Sequence, residues 1–142
     1  MRSGERGSLA IEAALVTPVI LLLFTVTMIA GKVQQTQASI EAAARAGARA
    51  GSLDRHPEVK TVHDTATDAV NAWLSTAGVS CGNERIDVTT GTLDVPAPGK
   101  PMNTVVVNVN CEVSMSDLSP LRVPGSVKLI GGFRSVVDLY RG

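Results

Sequence analysis

From Leu9 to Ala30 the chain is apolar apart from Glu12 and the threonines Thr17, Thr25 and Thr27. A run of this length crosses about 30 Å of hydrocarbon as a helix, so the rest of the chain must fold while tethered to it. Residues 1–7 form a short polar leader in which Arg2 and Arg6 outweigh Glu5. With Lys32 as the next positive charge, the arginines favour an N-terminus in the cytoplasm. A cleaved secretory signal fits less well, because the apolar run exceeds the usual 7 to about 15 residues and the best small-residue cut, after Ala30, has Met28 where a small side chain is wanted.

Glu12 is the awkward residue, since a charge at the centre of a membrane helix costs about 2.5 to 3.5 kcal/mol. Two readings stand. In the first, Glu12 rests at headgroup level near Arg6. In the second, a cut after Gly7 creates a positive amine on Ser8 and leaves Glu12 as residue five of the new chain. Stacked laterally with an axial offset, such helices would pair the Glu12 of one copy with the amine of its neighbour, neutralising both where an unpaired charge is heavily penalised.

Beyond the apolar run, Val33 to Ala50 has no proline and is rich in Gln, Ala, Glu and Arg, which continues the helix. A rod from Ser8 to Ala50 would be roughly 65 Å long, with Gly51 as its expected cap. Ile40, Ala43, Ala44, Gly47 and Ala48 recur at spacings of three and four and make one small-residue face. That face suits packing of the outer domain, contact with neighbouring copies, or both. A second helix is expected, announced by Pro57 in its first turn and closed by Gly78, with Val59, Val62, Ala66, Ala69, Val70, Trp73, Leu74 and Ala77 on its apolar side and Trp73 as its anchor. Strands are expected at Arg85–Leu93 with a break at Gly91, at Thr104–Met115 with Val105, Val107, Val109, Cys111 and Val113 on one face, and at Phe133–Tyr140. Gly131-Gly132 reads as a turn or bulge, and the prolines Pro96, Pro98, Pro101, Pro120 and Pro124 mark loops. The fold class is therefore α+β: a long N-terminal transmembrane helix, a second amphipathic helix and a small antiparallel sheet.

Cys81 and Cys111, both downstream of the apolar run, fall on one side of a membrane and are candidates for one disulfide; two separate buried thiols are the alternative. Other chemistry is thinly represented. A net charge of zero lacks the positive field that nucleic acid demands. His56 and His63, seven apart with Asp64 and Asp68 nearby, do not have the close first ligand pair of a zinc site and read as solvated groups. The G-x-S-x-G string Gly78-Val79-Ser80-Cys81-Gly82 follows an expected helix and precedes an expected strand, the reverse of a nucleophile elbow, and no phosphate-binding glycine loop is present. No catalytic residues, metal, cofactor or small-molecule substrate are expected.

The segment Gly7-Ser-Leu-Ala-Ile-Glu12 resembles a type IV prepilin peptidase site, a Gly followed after four residues by Glu. With Pro18 and the later Ala42-Ala-Ala-Arg-Ala-Gly-Ala-Arg-Ala50, the first fifty residues are similar to TadE-like proteins, the pseudopilins of tight-adherence (Tad, Flp) pilus systems. The resemblance departs at Ala13, where family members often carry a large residue. It implies a leader at 1–7, a transmembrane helix at 8–30 and an extracytoplasmic pilin-like domain at 31–142. It further implies that Gly7 and Ser8 flank the scissile bond, that Glu12 serves recognition and assembly, and that Pro18 loosens the helix by leaving the Ala14 carbonyl unpartnered. The partners so implied are a prepilin peptidase, other pilins and the Tad assembly platform in the cytoplasmic membrane, with adhesion as the indirect outcome. The alternative is an unprocessed single-pass anchor for an envelope domain that binds a partner outside a pilus.

Overall fold

A computed structural model of the protein describes residues 5–54, 58–93, 101–118 and 124–137, with side chains from residue 10 onward. Its elements run α1 (Glu5–Leu53), α2 (Val59–Ala77), β1 (Arg85–Leu93), β2 (Met102–Ser114), a one-turn α3 (Met115–Leu118) and β3 (Ser126–Val136). The expected α+β class holds: one long apolar N-terminal helix, a second helix and a three-stranded antiparallel sheet of order β1-β2-β3.

The sheet is built on the central strand. Val105, Val107, Val109, Cys111 and Val113 of β2 are all at most 3% exposed and face the helices. Burying each valine contributes about 1.5 to 3 kcal/mol, so this alternating row is the main adhesive of the domain. β1 pairs with it through Val88↔Val107, and β3 through Gly131↔Val109. The outer half of α1 lies on this face through Ile40, Ala43, Ala44 and Ala48, each 0% exposed. The small-residue face is thus used to pack the outer domain. α2 runs antiparallel to α1: a Cβ at Gly47 would meet Val70 Cγ2 and the Ala66 carbonyl, whereas one at Gly51 would meet Val62 Cγ1.

Several expectations need correction. Gly51 does not cap α1, which continues to Leu53; Gly51 is buried, and a Cβ there would come within 3.2 Å of Val105 Cγ1, so close packing of helix on sheet explains the residue. Trp73 is no anchor, being 45% exposed, and α2 is held instead by Val62, Ala66, Val70 and Leu74. Gly91 does not break β1, where it pairs with Thr104. The third strand starts earlier than Phe133, at Ser126, and Gly131-Gly132 lie inside it rather than in a turn. Pro57, His56 and the stretch 138–140 fall outside the described residues. Gly78 does end α2, in the left-handed region at φ 67°, with its own N–H bonded to the Ser75 carbonyl and that of Val79 to the Leu74 carbonyl.

Cys81 and Cys111 are joined in a disulfide that ties the connection between α2 and β1 to the buried face of β2. The Gly82 N–H donates to the Glu112 carbonyl at 2.8 Å beside it. On the opposite face, the Glu112 carboxylate accepts from the Ser126 hydroxyl and, at 3.0 Å, from the Asn83 amide. Those two bonds, Ser126 first, together with the Lys128 ammonium hold its carboxyl below the ordinary value.

Candidate functional site

The site is the N-terminal half of α1. Its large apolar side chains from Ile11 to Met28 are between 47% and 69% exposed, and every residue from Ala10 to Phe24 is exposed on whichever side of the helix it lies. A helix of a soluble domain shows one apolar stripe and a wet face. This one is apolar all round with nothing packed on it, and it is the single described helix long and apolar enough to cross a membrane. It fits a single-pass membrane anchor.

Gly7, Ser8, Glu12 and Pro18 all lie within α1, so the structure strings them along one helix rather than gathering them into a pocket. Glu12 is exposed on that helix. Pro18 sits inside it without ending it. The Thr17 hydroxyl donates to the Ala13 carbonyl at 2.6 Å, not to the Ala14 carbonyl that Pro18 leaves open. Thr25 and Thr27 likewise turn inward, to the carbonyls of Leu21 and Phe24. These bonds keep the three hydroxyls satisfied within the helix, which is what allows threonine in hydrocarbon.

The helix is continuous from this exposed half into the buried half, with no described break between Glu5 and Leu53. Position and orientation of the outer domain are therefore set by the anchor itself. The Arg45 guanidinium stacks over the Phe133 ring at 5.1 Å, and the Gln37 amide donates to the Ile130 carbonyl at 2.8 Å, so both fix β3 beside the same helix.

Among the described residues, the outer domain gathers few titratable groups at one place. A cavity of about 410 Å³ opens where α1 ends, lined by Gly51, Asp54, Val59, Thr90 and Asn103 among others. Its described lining has one carboxylate and neither a histidine nor a cysteine to work with it. His63 and Asp64 approach to 3.7 Å on the exposed side of α2, and among the described residues no group of three or more potential metal ligands occurs. No local sequence pattern marks this cavity, whose walls come from four separate elements, α1, α2, β1 and β2, and from Val137 beyond β3.

An exposed membrane-length helix that doubles as the spine of a small α+β domain fits the class of single-pass, helix-anchored proteins. Within that class the match is specific: residues 7–49 match the family described as TadE-like protein. The match spans the exposed half of α1 and almost all of its buried half, and leaves α2 and the sheet outside it. Comparison with curated proteins and with solved structures gives no match.

Proposed function

We propose that the chain is a pseudopilin, a minor pilin that takes part in assembling a Tad/Flp-type pilus. It is inserted with residues 1–7 in the cytoplasm, spans the cytoplasmic membrane through residues 8–30 and presents residues 31–142 outside. A prepilin peptidase cuts between Gly7 and Ser8. The Ser8 amine and Glu12 then lie at the membrane end of α1, where each can neutralise the other's counterpart on an adjacent subunit. Pro18 removes one backbone hydrogen bond and softens the helix where it must be drawn out of the bilayer.

The observation that carries this reading is the continuity of α1. Its apolar half is bare on all sides, as lateral packing with other such helices requires, and its other half is the spine of the outer domain. Glu12→Ala gives the test. Cells carrying the variant are expected to lose pili while holding the protein at its normal level in the membrane, with pilus counts by electron microscopy set against an immunoblot. Normal piliation with Glu12→Ala would favour a permanent anchor that works outside a pilus.

A further inference from the structure

We propose that the flank of α1 bearing Arg45 and Arg49 docks against the flank of α2 bearing Asp64 and Asp68 in a second copy of this chain, in a head-to-tail contact between copies anchored side by side. The proposal rests on the reading of α1 as the anchor, because that fixes the two copies parallel.

Arg45 and Arg49 are exposed and four apart on α1; Asp64 and Asp68 are exposed and four apart on α2. Residues at that spacing lie one above the other on a helix, so the chain carries a basic stripe and an acidic stripe of equal length. Within the chain the two cannot meet. The α1–α2 contact is made by Gly47 and Gly51 against Val62, Ala66 and Val70, and the arginines and aspartates project from the other sides of their helices. Arg45 leans over Phe133 of β3, whereas α2 packs against α1 and β1, the strand at the other edge of the sheet. The basic stripe therefore occupies one flank of the domain and the acidic stripe the other. Among the described residues, the only ion pair made by any of the four is that of Asp64 with His63 at 3.7 Å.

The stripes also stand at the same height. Gly47 abuts Val70 and Ala66, and Gly51 abuts Val62 and Ala66, so in these antiparallel helices residues 45–49 are level with 64–68 to within about one turn of roughly 5.4 Å. Turning a second copy about an axis along α1 keeps both anchors parallel and at one depth, and brings Arg45 and Arg49 of one copy opposite Asp68 and Asp64 of the next. Glu41 and Lys60, charges of opposite sign to their neighbouring stripes and four positions before them on the same helices, sit one turn outside the overlap. Because the two surfaces differ, the contact is heterologous. Such contacts repeat into rings or open filaments instead of closing as pairs.

The test uses the full chain in membranes. One tagged copy carries Arg49→Cys and a second, differently tagged copy carries Asp64→Cys; the native cysteines are already bridged to each other. Mild oxidation is expected to give a mixed cross-linked dimer, with little product from either variant alone. Adding Arg45→Glu to the first copy should lower the yield about ten-fold by setting like charges opposite one another, and adding Asp68→Arg to the second should restore it. A chain that is membrane-inserted by flotation yet gives no mixed product, a yield indifferent to Arg45→Glu, or equal product from Arg49→Cys alone would each overturn the proposal while leaving the anchor intact. Recovery of the chain in the soluble fraction would overturn the anchor and this contact together.

Discussion

Removing the disulfide with Cys81→Ser and Cys111→Ala together is expected to destabilise the outer domain by roughly 3 to 4 kcal/mol on the chain-entropy account, given a sequence separation of 30. Alanine is the right replacement at position 111, because that side chain is 2% exposed and a serine hydroxyl there would add the separate cost of a buried polar group. For a domain of this size the loss corresponds to a fall in Tm of roughly 15 °C or more. The physical cause is in the connection between α2 and β1. Few other bonds tie it to the sheet: the Gly82 N–H on the Glu112 carbonyl and the Asn83 amide on the Glu112 carboxylate are described, while those of Gly78 and Val79 run back to α2. Released from Cys111, this segment gains freedom in the unfolded chain and loses its fixed entry into β1 in the folded one. Thermal melts of the detergent-solubilised chain, with and without reductant, read the effect. A reduced wild type that melts with the oxidised one would contradict it.

Gly131→Ala is the second large effect, about 1 to 3 kcal/mol by overpacking. A Cβ at Gly131 would lie 2.8 Å from the Ile40 carbonyl oxygen and 2.9 Å from the Glu41 nitrogen, both backbone atoms of α1. No side-chain rotation relieves such a clash; the helix must lift from the sheet, loosening Ile40, which is 0% exposed. Gly132→Ala supplies the internal control. There the nearest atom is the Oδ1 of Asn108 at 2.7 Å, the end of a side chain that can swing aside. The same chemical change one residue along should therefore cost a small fraction as much, and urea unfolding of the two variants compares them directly. Equal losses would mean that α1 does not bear on β3 as described.

These two glycines show where the sequence was readable and where it was not. Regular patterns were plain: β1 has the bounds Arg85–Leu93 expected of it, and the alternating valines of β2 face the core as their parity required. The small face at Ile40 to Ala48 was equally clear, because helical spacing is a local property. Gly131-Gly132 carries the usual local signature of a turn, yet its reason is a helix backbone some ninety positions earlier in the chain. Gly51 misled in the same way. Trp73 looked like an anchor by size and spacing, but α2 leans on α1 through Val70 and Ala66 and leaves the indole half in solvent. Periodicity tells which side of an element is apolar, and it is silent on how closely two backbones approach.

The site divides similarly. Gly7, Ser8, Glu12 and Pro18 lie along one helix, so the proposed signal is linear and the sequence displays it whole. The structure selects between the two uses that sequence left open for the small-residue face, since Ile40, Ala43, Ala44 and Ala48 are buried under the outer domain of the same chain. An element used in this way couples any movement of the anchor to the domain outside.

The central claim is that this helix is the substrate of a prepilin peptidase and becomes the assembling end of a pilin subunit. Intact-mass and N-terminal peptide analysis of the chain, purified from membranes of cells with an active peptidase, tests it most directly. The account predicts a mature chain that begins at Ser8 and lacks residues 1–7. A chain that keeps its leader in those cells would contradict it.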